Sequence, residues 1–133
     1  PPLPPLRHTL CPDTTLFRSP YSQAVGFGNL LFLSGQIAID PETNVLLQGT
    51  VEEQTKLAME NMSAVLEAAN LSLDNVLKIT LYLANMNDFS LVNDIYKEYF
   101  PENPPARSTV EVSRLPRNVL VEIDAIAAFP TDV

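Results

Sequence analysis

The stretch from Thr50 to Asn70, TVEEQTKLAMENMSAVLEAAN, can bury only one side of itself. Val51, Ala58, Met62, Val65, Leu66 and Ala69 recur at helical spacing, which leaves Glu52, Lys56, Glu60 and Glu67 for solvent. Thr50-Val51-Glu52-Glu53 matches a capping box, in which the Thr50 hydroxyl and the Glu53 carboxylate each satisfy a backbone N–H at the helix start. Asn70 is the expected stop. A helix with a single apolar stripe needs a partner face, and the flanking sequence supplies strands to build one.

From Asn29 the pattern alternates: Leu31, Leu33, Gly35 and Ile37 fall on one face, and Leu30, Phe32, Ser34 and Gln36 on the other. Asp40-Pro41-Glu42-Thr43-Asn44 is a turn, with Asn44 suited to the left-handed conformation, and Val45 to Leu47 return as a hairpin. Val76 to Ala84 is a strand in which Leu77, Ile79, Leu81 and Leu83 oppose Lys78, Thr80 and Tyr82. A second helix, capped at Asn87 or Asp88, turns Phe89, Val92, Tyr96 and Tyr99 inward and ends before Pro101. Strands from Arg107 to Val112 and from Val119 to Ala127 follow, joined by the turn Leu115-Pro116-Arg117-Asn118. This order predicts an α+β domain: a single mixed sheet with both helices packed on one face.

With 133 residues the chain suits one domain, read as residues 20–133. Residues 1–19 are proline-rich and lack periodicity, so they read as a tail, with an edge strand expected around Thr14 to Phe17. Within that tail HTLCPDTTLFRS resembles the translation of a common sequencing adapter, departing at Cys11 and Asp13, and the reading is that this stretch is not native sequence. No apolar run reaches the roughly 20 residues of a membrane helix. No secretory signal is recognisable, and Cys11 is the single cysteine, so a cytoplasmic or organelle-matrix location is expected.

A net charge of −8 argues against sequence-independent nucleic-acid binding, which needs clustered Lys and Arg. His8 is the only histidine. One His and one Cys, both in the first dozen residues, nearly exclude soft-ligand metal sites and Ser-His-Asp or Cys-His nucleophiles. Carboxylate, hydroxyl, amide and guanidinium groups are left to carry the chemistry.

If the apolar side of each strand meets the helices, the opposite side carries Ser34, Gln36, Lys78, Thr80, Tyr82, Arg107, Thr109, Glu111, Glu122 and Asp124. Phe32 and Ile126 join them there, and too few elements remain to cover this face, which points to self-association with sheets of several subunits facing one another. Arg107 and Glu122 would then meet near a subunit boundary. A guanidinium fork matches a carboxylate through two parallel bonds, and a nearby carboxylate can orient or deprotonate water. The residues alone leave two readings open: a site for a small carboxylic acid attacked by water, or a structural ion pair between Arg107 and Glu122.

The segments SPYSQAV, LFLSGQI, NDFSLVNDIYKEYF, PPARSTVEV, RLP and VEIDAIA occur in order and at the intervals of the RidA/YjgF family of enamine and imine deaminases, which the chain resembles from Pro20 to Phe129. The resemblance implies a chorismate-mutase-like fold, a homotrimer with clefts between subunits, and no cofactor. It further implies that Arg107 binds the substrate carboxylate and that Glu122 positions the attacking water, with Tyr21, Ser34 and Asn93 lining the cleft. Asn93 is also anomalous in its own right, since asparagine is a poor helix-interior residue and Val92 and Tyr96 beside it face inward. Thr109 stands where many relatives carry cysteine, which removes a thiol from the cleft. Ser19 replaces the usual glycine before PYSQA, and the first strand expected upstream is not recognisable.

The implied activity is hydrolysis of 2-imino acids, formed from 2-aminoacrylate-type enamines, to 2-oxo acids and ammonia. Two other readings stay open. One is a non-enzymatic ligand-binding or chaperone-like trimer. The other is an endoribonuclease or translation inhibitor, against which the acidic charge and the lack of an internal histidine weigh.

Overall fold

Thr50 opens α1 (Val51–Ala68) with both reciprocal bonds of the capping box: its hydroxyl accepts from the Glu53 N–H, and the Glu53 carboxylate accepts from the Thr50 N–H. The Thr50 N–H first, and second the Thr50 hydroxyl, which also donates to the carboxylate, hold the Glu53 carboxyl below its ordinary value. At the other end Asn70 takes φ 60°, and the N–H groups of Asn70 and Leu71 bond the carbonyls of Glu67 and Leu66. That pair of bonds is a Schellman closure, and it places the cap itself at Ala69, one residue before the expected stop. Thr50→Ala is expected to lower stability by about 1 kcal/mol, read as a lower urea midpoint at unchanged slope.

The computed structural model describes residues 21–131 in full and the backbone of Arg7–Leu10. Its strands are β1 (Arg7–Leu10), β2 (Ala24–Phe27), β3 (Leu30–Gln36), β4 (Val76–Leu83), β5 (Ala106–Glu111) and β6 (Val121–Ala128), and α2 (Phe89–Tyr99) lies between β4 and β5. They form one mixed sheet in the order β1-β2-β3-β6-β4-β5, in which only β4 and β5 are parallel. The expected edge strand at Thr14 to Phe17 lies outside the described residues. Among the described residues no helix is long and apolar enough to cross a membrane.

Both helices pack on one face of the sheet. Met59, Met62 and Leu66 of α1 and Val92 of α2 meet Leu31, Ile79, Leu81 and Ile123, all fully buried or nearly so. Each such side chain contributes about 1.5–3 kcal/mol relative to exposure. Asn44 takes φ 60° as its turn requires, and the hairpin it closes is minimal, with a single bridge from Ile39 to Leu46.

Two irregularities reverse the expected alternation. The β3–β6 register shifts between Leu33 and Gln36, so that Gln36 is 8% exposed rather than on the open face. Its amide there donates to the Gln23 side chain and to the Ser34 carbonyl, which satisfies it inside. The β4–β6 register shifts between Val76 and Lys78, and Leu77, expected in the core, is 52% exposed. An extra residue in one strand turns every later side chain to the other face.

Phe89, also expected inside, is partly exposed at the start of α2. The largest correction concerns β5. Ile79 of β4 stands opposite Arg107, Leu81 opposite Thr109 and Leu83 opposite Glu111. Ile79, Leu81 and Leu83 face the helices, so Arg107, Thr109 and Glu111 lie on the helix side of the sheet. Glu122 and Asp124 pair with Tyr82 and Thr80 on the open side. The valine parity of β5 misleads because it is an edge strand, and Val110 points out of the open face into solvent.

Candidate functional site

β5 and α2 together build a cationic corner. The Pro104-Pro105 pair keeps the chain extended into β5, which enters the sheet edge with Arg107 under α2. The guanidinium donates from Nη1 to Asn93 Oδ1 at 2.8 Å. Its central carbon sits 4.8 Å from the Tyr96 ring centroid and 5.6 Å from that of Phe89. Among the described residues no carboxylate pairs with it. A half-buried cation held by an amide and two ring faces keeps most of its donors for an incoming anion.

Thr109 lies two residues along the same row, its Oγ1 buried without a hydrogen-bond partner. Glu111, next in that row, accepts from the Met86 N–H at 2.8 Å and so anchors the turn that leads into α2. Burial raises the Tyr96 phenol above its ordinary value, and the nearby Arg107 charge pulls it the other way.

A second cluster occupies the open side. The bulge in β3 carries Ser34, whose hydroxyl donates to the Ser22 carbonyl at 2.6 Å while its N–H donates to the Gln23 carbonyl. These bonds tether the segment after Tyr21, itself 55% exposed and not a core aromatic. At Gly35 the position a Cβ would take is occupied by the Glu122 carboxylate. Any other residue there would displace Glu122, so this glycine is needed for close approach.

Burial raises the Glu122 carboxyl above its ordinary value, and the negative charge of Asp124 adds to the rise. Asp124 in turn accepts from the Tyr82 hydroxyl at 2.8 Å, and that bond, ahead of burial, raises the Tyr82 phenol. A group whose folded value is raised favours the fold below its unfolded value and loses that contribution as pH rises through the folded value. Glu122→Gln is therefore expected to raise the thermal midpoint at pH 7. The gain should vanish below about pH 4, where both states are protonated, as thermal scans across pH would show.

Arg107, Asn93 and Thr109 are thus brought together, whereas Glu122 packs on Gly35, next in the chain to Ser34, and Ser34 holds the Ser22 carbonyl that follows Tyr21. The two groups lie on opposite sides of one sheet, with β4 between β5 and β6, so Arg107 and Glu122 do not share a cleft within one chain. This removes the reading of an ion pair between them in a single copy. A groove of about 280 Å³ bordered by Asp74, Tyr99 and Glu102 contains none of these side chains, and its acidic lining suits no carboxylate.

The structure adds Phe89, Tyr96 and Gly35 to the candidate site. Phe89 and Tyr96 fall four residues before and three after Asn93, on the same helical stripe, and that spacing was the available signal. Gly35 had no local signal, because its role depends on the β6 side chain across the ladder.

The family model described as Endoribonuclease L-PSP matches residues 14–129. A RutC family protein of Pyrococcus horikoshii is 56% identical over 108 residues, covering 81% of this chain and 86% of that protein. A human protein named 2-iminobutanoate/2-iminopropanoate deaminase is 46% identical over 108 residues, covering 81% and 79% respectively. The crystal structure of E. coli TdcF with bound serine superposes with a TM-score of 0.79 at 39% identity, covering 84% of this chain and 90% of that one. With the sheet order, the two helices on one face and these matches together, the chain belongs to the Endoribonuclease L-PSP family, the RidA/YjgF family that its motifs resemble.

Proposed function

We propose that the protein hydrolyses 2-imino acids to 2-oxo acids and ammonia in clefts formed between copies of the chain, three in a homotrimer. The observation that carries this reading is the Arg107 guanidinium, which pairs with no carboxylate among the described residues and is oriented by Asn93 and ring faces in a chain of net charge −8. A guanidinium held in place with donors to spare matches a carboxylate through charge-assisted bonds. Relatives named as 2-iminobutanoate/2-iminopropanoate deaminases, the human protein among them, support the substrate class.

Because Glu122 is on the other side of the sheet, the catalytic pair is completed by a second copy. The open face, with Phe27, Phe32 and Val110 exposed, supplies the apolar surface for that contact. Arg107 holds the carboxylate and fixes the imine carbon beside it, with Thr109 at its side. Ser34 and Tyr21 line the Glu122 half.

Glu122 accepts a proton from water as the new C–O bond forms and the C=N electron pair moves to nitrogen. The protonated carboxyl returns that proton to the amine nitrogen. Loss of the hydroxyl proton to Glu122 then accompanies C–N cleavage and re-forms a carbonyl; the departing ammonia takes that proton and leaves as ammonium, which restores the Glu122 carboxylate. A carboxyl whose hold on its proton is strengthened by burial can take and return that proton, and the iminium is electrophilic enough that positioning and proton transfer suffice.

The test generates imines in place with an amino-acid oxidase and traps them with semicarbazide. Protein present at catalytic concentration should lower semicarbazone yield for several amino-acid-derived imines. Unchanged yield for all of them, with clean binding of a carboxylate, would favour the ligand-binding reading instead.

A further inference from the structure

The guanidinium of Arg107 meets α2 through a stripe of three residues. Phe89, Asn93 and Tyr96, spaced four and three apart, face it together. Tyr96 makes the shorter ring contact and is 5% exposed, whereas Phe89 is partly in solvent, so the Tyr96 contact is the desolvated one. Cation–ring attraction strengthens with desolvation.

The Tyr96 hydroxyl is buried and has no hydrogen-bond partner. It is closed to solvent and hence to a ligand, and a buried unpartnered hydroxyl lowers stability. The ring face is therefore the part of Tyr96 available to the site. A ring also does what a carboxylate partner could not: it attracts the cation without occupying the fork of donors that an anion needs.

We propose that Tyr96 is the positioning residue of this clamp, its ring face holding the Arg107 guanidinium preoriented for a carboxylate while its hydroxyl takes no part. The proposal rests on the reading of Arg107 as a carboxylate clamp. Preorientation lowers the cost of ordering the side chain when ligand arrives. Since the same contact acts on bound substrate and transition state alike, its loss raises KM more than it lowers kcat.

The experiment titrates butyrate into the wild-type protein, Tyr96→Phe, Tyr96→Leu and a protein with pentafluorophenylalanine in place of Tyr96. Tyr96→Phe should bind as wild type and melt at a higher temperature. Tyr96→Leu and the fluorinated protein should bind about tenfold more weakly, the latter with its shape intact and its ring face no longer negative. The Arg107 Nε–H resonance should keep its ring-current shift in Tyr96→Phe and lose it in Tyr96→Leu. With imine substrate, Tyr96→Leu should raise KM and leave kcat within about twofold.

Wild-type affinity in the fluorinated protein would overturn the proposal, and so would a loss in Tyr96→Phe equal to that in Tyr96→Leu. Butyrate binding that follows this pattern in a protein that hydrolyses no imine would support the clamp and remove the deaminase reading.

Discussion

Arg107→Ala is expected to lower imine hydrolysis by about a thousandfold while leaving the protein folded. Two charge-assisted bonds to a substrate carboxylate, each worth about 1.5–3 kcal/mol, account for that size of loss. The fold should survive because Arg107 sits on an edge strand, is only half-buried, and among the described residues makes one side-chain hydrogen bond, to Asn93. Coupled oxidase and semicarbazide assays would measure the rate, and circular dichroism with a thermal scan would check the fold. Near-wild-type hydrolysis by the folded variant would falsify the role of Arg107 and, with it, the assignment of substrate class.

Arg107→Ala and Glu122→Gln proteins, each inactive alone, are expected to recover activity when unfolded together and refolded as a mixture. Opposite faces of one sheet carry the two side chains, so the proposed cleft takes Arg107 from one copy and Glu122 from another. Hybrids then contain clefts in which both contributing residues are intact, about a quarter of all clefts in an equal mixture. Light scattering on the same samples would report the number of copies. Recovery indistinguishable from zero in hybrid assemblies of demonstrated mixed composition would show that each site is built within one chain.

The local elements were legible because their signals are local. Thr50 and Glu53 define a helix start through bonds three residues apart, and Asn44 and Asn70 mark left-handed turns that few other residues tolerate. The apolar positions Ile79, Leu81 and Leu83 identified a half-buried strand, and the element order indicated one sheet with helices on one side. Asn93 stood out as an amide on a helix that turns apolar residues inward, and it proved to hold the arginine.

The faces were less legible. Alternation misplaces Leu77 and Gln36 because it runs through positions where the ladder gains a residue. Such bulges depend on the partner strand, so no pattern within β3 or β4 alone reveals them.

The sequence by itself determined which residues are candidates for the proposed chemistry, where the helices begin and end, and that six motifs in order specify this family. Only the tertiary structure decided which side of the sheet each site residue occupies. Period two divides a strand into two faces but does not say which faces the helices. For a half-buried edge strand such as β5 the hydrophobic bias is weak, and the register against β4 decides instead. That register carries Arg107 to the helix side, onto the rings of α2, and leaves Glu122 behind the sheet beside Gly35. The separation makes a second copy of the chain part of the proposed chemistry.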